Sequence, residues 1–275
     1  MSAYDYCRTK VALPGSSLYY SLLYARGELR ASLTALHAAS EALREAAEES
    51  TDTLVARSRL AWWDDEMRRA FAGAPRHPIT TLLAEPLLRA GVQIDRMTAV
   101  ISAFDAHARR DSYEHLDELV DHDRRIADMS GCMAAELCGF DHGETLEASR
   151  HLGMGLALAE TVRRPRRPGG RRSHDLPHEL LARCGADERA VSGMHTGAAL
   201  RCVLERVADE ARRHLHRALA SMPVDDRRRQ SPRRALAEMA LAQLRAIARA
   251  GYAVLERPYT ATPLRKLWIA WKHRV

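Results

Sequence analysis

The sequence predicts an all-α protein, and three observations carry that prediction. Ala, Leu, Arg and Glu dominate its 275 residues while Phe occurs only three times, and these small or straight-chain residues lose little rotamer freedom in a helix. No run alternates apolar and polar residues as a half-buried strand would. Long amphipathic stretches are instead punctuated by Gly and Pro. The length suffices for a sizeable core, and with no internal repeat or linker the chain is expected to form one helical domain over residues 1–275.

The elements follow in order. Pro14 and Gly15 break the N-terminal segment, after which Leu18, Leu22 and Leu23 start an apolar helical face. Residues 29–49 form a long amphipathic helix with Leu33, Leu36 and Leu43 on its buried side. A helix over 53–71 carries Leu54, Leu60, Trp62, Trp63 and Met67, and Gly73, Pro75 and Pro78 turn it into a shorter helix through Leu82 and Leu83. Helices over 93–109 and 113–138 come next. After a turn at 139–143, a helix containing Gly153 and Gly155 offers a neighbour close approach and stops at Arg163-Arg164-Pro165. Residues 163–172 hold six arginines, two prolines, two glycines and no acid, the composition of a solvated loop. Helices resume near Leu176, run long over 190–220, and return over 233–251 after a second basic loop at Arg227, Arg228 and Arg229.

Formal net charge is +6, from 42 Lys and Arg against 36 Asp and Glu, so an anionic partner must be argued from local patches. Cys7, Cys132, Cys138, Cys184 and Cys202 are an odd set without a CxxC pair, which fits reduced thiols of a cytoplasmic protein. The N-terminus lacks a basic start followed by an apolar run, and no stretch reaches the roughly 18 apolar residues a membrane span needs. A cytoplasmic location is expected, with peripheral contact with the inner membrane left open.

Four landmarks in order resemble the squalene/phytoene synthase family. They are Pro14-Gly15-Ser16-Ser17-Leu18-Tyr19-Tyr20; the segment RASLTALH at 30–37; Leu60-Ala61-Trp62-Trp63 with Glu66, then Gly73 and His77-Pro78; and Leu152-Gly153 ahead of a basic loop and Leu176-Pro177. The resemblance spans nearly the whole chain and implies an isoprenoid-synthase-like helical bundle around a central cavity. In active members, two aspartate-rich motifs on facing helices hold magnesium ions that grip substrate diphosphates. Carboxylates four residues apart share a helix face and can converge on a hard cation.

Aligned on RASLTALH, the first motif falls on Arg44-Glu45-Ala46-Ala47-Glu48, so its leading aspartate is a cation. A family arginine that contacts diphosphate falls at Glu41, and a family tyrosine at His37. In the second motif, Ala157 and Glu160 stand where the family has glutamine and asparagine, and Arg164 and Pro168 where it has the two aspartates. Arginine in a site meant for divalent cations adds repulsion to the loss of ligands. A helix ending in arginine, a basic loop, then Leu-Pro, with Thr262-Pro263-Leu264 through Trp271-Lys272 at the end, resembles the respiratory complex I assembly branch of the family, which is regarded as non-enzymatic.

The resemblance therefore implies a non-catalytic protein that acts by binding, with a respiratory membrane complex or its assembly intermediate as partner, or an isoprenoid or acidic lipid as ligand. No cofactor is expected. The alternative is a head-to-head prenyl diphosphate synthase that uses Mg with substitute acids Glu45, Glu48 or Glu160; Glu45 and Glu48 are the remnant metal candidates. Arg163, Arg164, Arg166, Arg167, Arg171 and Arg172 are candidate anion- or partner-binding residues. Nucleic acid is not expected, since no recognised module accompanies the charge. Asp64-Asp65-Glu66 reads as a solvated helix face, and Tyr19, Tyr20, Trp62 and Trp63 as core or cavity wall. His107, His115 and His122 with Asp111, Asp117, Asp121 and Asp123 match no ligand signature.

Overall fold

The computed structural model describes residues 1–50, 52–110, 112–165 and 176–274. Helices begin where hydroxyls and carboxylates can cap them. Ser2 accepts from Asp5 N to start α1 (Ala3–Val11), a helix the sequence reading did not anticipate. Ser16 caps α2 (Ser17–Ser21), and Asp52 accepts from Leu54 N at 2.8 Å to start α4 (Thr53–Phe71). Between them α3 (Gly27–Glu48) buries Leu33, Leu36 and Leu43 together with Ala35, Ala38, Ala39 and Ala42, small residues that let α1, α4 and α5 (Pro78–Arg89) approach closely. Pro78 opens α5, where its missing N–H costs nothing. With α6 (Ile94–Ala108) these helices enclose one apolar cluster.

Glu66 lies at the heart of this half. It is fully buried on α4 and accepts from Arg76 N at 2.8 Å, His77 N at 2.9 Å and Thr80 Oγ1 at 2.6 Å, with Arg69 at 2.5 Å. One carboxylate thus satisfies the orphan N–H groups of the turn into α5. Of the Asp64-Asp65-Glu66 run, then, only Asp65 is fully exposed; Asp64 pairs with Arg68 at 2.8 Å, and Glu66 departs from the solvated-face expectation.

The helix expected over 113–138 is instead three pieces: α7 (Leu116–Asp128), a π-helical turn (Met129–Met133) and α8 (Ala134–Cys138). The interruption coincides with backbone packing. A Cβ on Gly131 would stand 2.7 Å from Ser149 O, and Arg233 Nη2 donates to Gly131 O at 2.8 Å. Ser149 belongs to α9 (Glu144–Arg163), whose start is held by Asp226 accepting from Asp141 N, His142 N and Thr145 Oγ1.

α9 packs most extensively against α12 (Ala198–Ser221). The expected role of its glycines holds: a Cβ on Gly153 would lie 2.4 Å from Ala127 O of α7, and one on Gly155 2.5 Å from Leu215 Cγ of α12. His151 and His214 meet across the same seam, Nδ1 to Nδ1 at 2.8 Å. Ahead of α12 lie α10 (His178–Arg183) and α11 (Glu188–Ser192), so the long helix expected from residue 190 starts later, after Gly193 and Gly197. α13 (Ser231–Arg249) and α14 (Pro263–Lys272) complete the chain; α7, α9, α12 and α13 surround a second apolar cluster, and α13 and α14 share a third.

One expectation about the cysteines is corrected. Cys184, at the end of α10, is disulfide-bonded to Cys202 in the first turn of α12, with Cα atoms 5.8 Å apart, whereas Cys7, Cys132 and Cys138 are free thiols. Helix packing brings together two residues 18 apart in sequence, a spacing no local motif advertises. Among the described residues there is no strand, only an isolated bridge between Tyr113 and Pro177, and no helix is long and apolar enough to cross a membrane.

Candidate functional site

The site is built on two helices, and arginines occupy both sides of it. On α3, Glu41, Arg44 and Glu48 follow one another at helical spacing on one face. Arg44 Nη2 donates to Glu41 Oε1 at 2.5 Å and Nε to Glu41 Oε2 at 3.1 Å, while Nη1 donates to Glu48 Oε2 at 2.7 Å. The guanidinium therefore sits between the two carboxylates. Burial works against charge at Arg44, yet its bonds to Glu41 and Glu48 raise its pKa. Glu41 is likewise penalised by burial, but Arg44, and then the charges of Arg164 and Lys10, hold it below the ordinary carboxylate range.

Facing this, α9 ends at Arg163, with Arg164 as its cap residue and Pro165 beyond. Glu160 accepts from Arg163 Nε at 2.7 Å, and Arg164 Nε lies 3.3 Å away. Arg164 reaches Glu41 electrostatically across the gap, and Arg163 does the same to Lys266 of α14, whose pKa burial and that charge together lower. Lys266 is nearly fully buried and donates from Nζ to Gly15 O at 2.7 Å. It carried no signal in the sequence reading. His37, one turn before Glu41, is pushed down to about 4, first by burial and then by the charge of Arg233, so it is neutral near pH 7.

Glu45, one turn beyond Glu41 on α3, has a different partner. Glu45 pairs with Lys10 of α1 and lines an outer groove of about 370 Å³ together with Tyr6, Arg59, Trp62 and Trp63. Trp63 is buried as expected, but Trp62 is 48% exposed in that groove. Glu48 turns toward a buried imidazole: His107 Nε2 lies 3.6 Å from Glu48 Oε1, and His107 Nδ1 is 2.9 Å from Tyr113 Oη. His122 stacks on His107 at 4.8 Å. His115 is exposed beside Glu179, and Asp121 pairs with Arg124. Asp111, Arg166, Arg167, Pro168, Arg171 and Arg172 lie outside the described residues.

A hard divalent cation needs several oxygens with excess negative charge. Here three carboxylates, Glu41, Glu48 and Glu160, are matched by three guanidiniums, Arg44, Arg163 and Arg164, each within salt-bridge distance of at least one of them. Glu45, the remaining acid of the first motif, is bound to Lys10. Among the described residues no three His, Cys, Asp or Glu side chains converge for a metal. Among the described residues the donor set does not fit a magnesium pair.

The sequence profile of squalene/phytoene synthases matches residues 11–267. The chain belongs to the squalene/phytoene synthase family. Solved structures carry the same all-α fold. A dehydrosqualene synthase bound to a ligand superposes with a TM-score of 0.80 at 14% identity, over 98% of this chain and 95% of that one. Squalene synthase HpnC from Alicyclobacillus acidocaldarius gives 0.72 at 19%, over 91% and 95%. YisP from Bacillus subtilis subsp. subtilis strain 168 gives 0.70 at 16%, over 98% and 95%. No curated protein matches in sequence. This squalene/phytoene synthase family fold thus carries arginines at positions 44 and 164, on the facing helices α3 and α9.

Proposed function

We propose that this family member works by binding and does not couple prenyl diphosphates. The observation that carries the reading is Arg44, lodged between Glu41 and Glu48 where the family resemblance places metal-holding aspartates. A cation already fills the space between the carboxylates, and a pair of guanidiniums, Arg163 and Arg164, engages Glu160 opposite. The rival synthase reading needs Glu45, Glu48 and Glu160 to converge on magnesium; Glu45 faces the outer groove and the other two are bound to arginines.

The class of ligand that suits a retained bundle with a basic rim is an isoprenoid or acidic lipid, and the class of partner is a respiratory membrane complex during assembly. Incubating the purified protein with farnesyl or geranylgeranyl diphosphate and magnesium is expected to release no diphosphate and yield no coupled product. Turnover abolished by Glu45→Gln or Glu48→Gln overturns the reading. A long-chain prenyl diphosphate that raises the melting temperature without being consumed supports the lipid-binding form. Deleting the gene is expected to leave respiratory complexes incompletely assembled; full assembly removes the assembly form.

A further inference from the structure

The C-terminal helix α14 is amphipathic in the reverse sense. Its buried face is Lys266, Ile269, Ala270 and His273, residues spaced i, i+3, i+4 and i+7. The face turned to solvent has the same spacing and consists of Leu264, Leu267, Trp268 and Trp271, with Leu264 80% and Trp268 58% exposed. Four large apolar side chains in one stripe are a contiguous patch of the kind that marks an interaction surface. Among the described residues no element covers them, and α14 packs on α2 and α13 through its other side.

The charge around the stripe indicates what covers it. From residue 238 to the C-terminus the acids are Glu238 and Glu256, against Arg245, Arg249, Arg257, Arg265, Lys266, Lys272 and Arg274; Glu238 is taken up by Lys272 and His273 and Glu256 by Thr196. Arg245, Arg249, Arg265 and Arg274 are all exposed. Arg245 feels both Arg265 and Arg249, so the arginines of α13 and α14 form one basic field. Cations also border the exposed indoles directly: Arg274 lies 4.3 Å from the Trp271 ring and Lys272 5.8 Å from that of Trp268. Tryptophan and leucine beside arginine and lysine suit the boundary between phosphates and acyl chains, where indoles sit at headgroup depth and long cationic side chains reach the phosphates.

We propose that the outward face of α14, Leu264, Leu267, Trp268 and Trp271 with the arginines at 245, 249, 265 and 274, docks the protein flat onto an anionic lipid bilayer surface. The helix lies in the plane of the surface, since ten residues are too few to span it. The apolar stripe enters the acyl boundary while the basic field meets lipid phosphates, so binding requires both. This inference is independent of whether the site between α3 and α9 is catalytic.

The test is co-sedimentation of the full chain with vesicles of phosphatidylcholine alone or mixed with phosphatidylglycerol. Binding is expected to the anionic vesicles only and to weaken as salt rises. The double variants Trp268→Ser/Trp271→Ser and Arg245→Glu/Arg265→Glu are each expected to weaken it at least about tenfold, with helical content by circular dichroism unchanged because all four positions are exposed. Absence of binding, or equal binding by either folded variant, overturns the proposal. So does a concentration-dependent dimer in sedimentation velocity that the tryptophan variant abolishes, which assigns the stripe to a second copy of the chain.

Discussion

Arg44 Nη1 donates to Glu48 Oε2 at 2.7 Å while the same guanidinium holds Glu41, so a cation belonging to the chain occupies the space between two carboxylates on α3. Removing it leaves Glu41 and Glu48 facing each other across a mostly buried gap. Arg44→Leu is expected to lower stability by about 2 kcal/mol, below the range for a fully buried pair because Arg44 and Glu41 keep some solvent contact. Urea unfolding measures it. Arg44→Asp is expected to restore no magnesium-dependent diphosphate release, because Glu160 remains held by Arg163 and Arg164 opposite.

Glu66 predicts an acid limit to stability. Burial opposes its charge, but hydrogen bonds from Thr80, Arg76 N, His77 N and Arg69 overcome that and bring its pKa down to about 2. A carboxylate whose folded pKa lies below its unfolded value, about 4.3, contributes stability that is complete above the unfolded value and lost as pH falls toward the folded one. Melting temperature is expected to drop between pH 5 and pH 2, windows set by those values. Glu66→Gln, which sets an amide N–H₂ among donors, is expected to cost about 3 kcal/mol near pH 7 and to flatten that acid dependence.

Gly153 predicts a steric limit. Its Cβ would meet Ala127 O at 2.4 Å and Gly131 Cα at 3.1 Å, both backbone atoms that cannot swing aside. Gly153→Ala is expected to cost about 2 kcal/mol despite the better helix propensity of alanine. Gly27→Ala at the start of α3 meets nothing within 4 Å and is expected to leave stability unchanged or slightly raised. Paired thermal melts of the two variants separate packing from propensity.

The disulfide between Cys184 and Cys202 closes a short loop that contains α11. Thiol titration of the denatured, unreduced protein is expected to count three free cysteines. Reduction, or Cys184→Ser/Cys202→Ser, is expected to destabilise by about 3 kcal/mol for a loop of this size.

Much of the site was legible before any coordinates. Arg44 and Arg164 stand in the sequence where the family resemblance expects aspartates, and three-residue spacing alone allows Glu41 and Arg44 to pair. Lys10 and Glu45, 35 residues apart, could not be paired that way, because their contact depends on how α1 lies along α3. Lys266 was hidden for the same reason: it reaches Gly15 O from 251 residues away. The π turn at 129–133 was also invisible, since it answers to the backbone of α9 and the guanidinium of Arg233 and not to the local pattern.

The sequence by itself determined the helical class, the order of the main helices, and the arginines at the two positions where the family resemblance expects aspartates, because periodicity and residue identity are local properties of the chain. It also contained both faces of α14, each repeating at i, i+3, i+4 and i+7. Periodicity says which residues share a face but not which face another helix covers. Only the tertiary structure decided that Lys266, Ile269, Ala270 and His273 turn inward and that the two tryptophans face out, because that choice is made by the packing of α14 on α2 and α13.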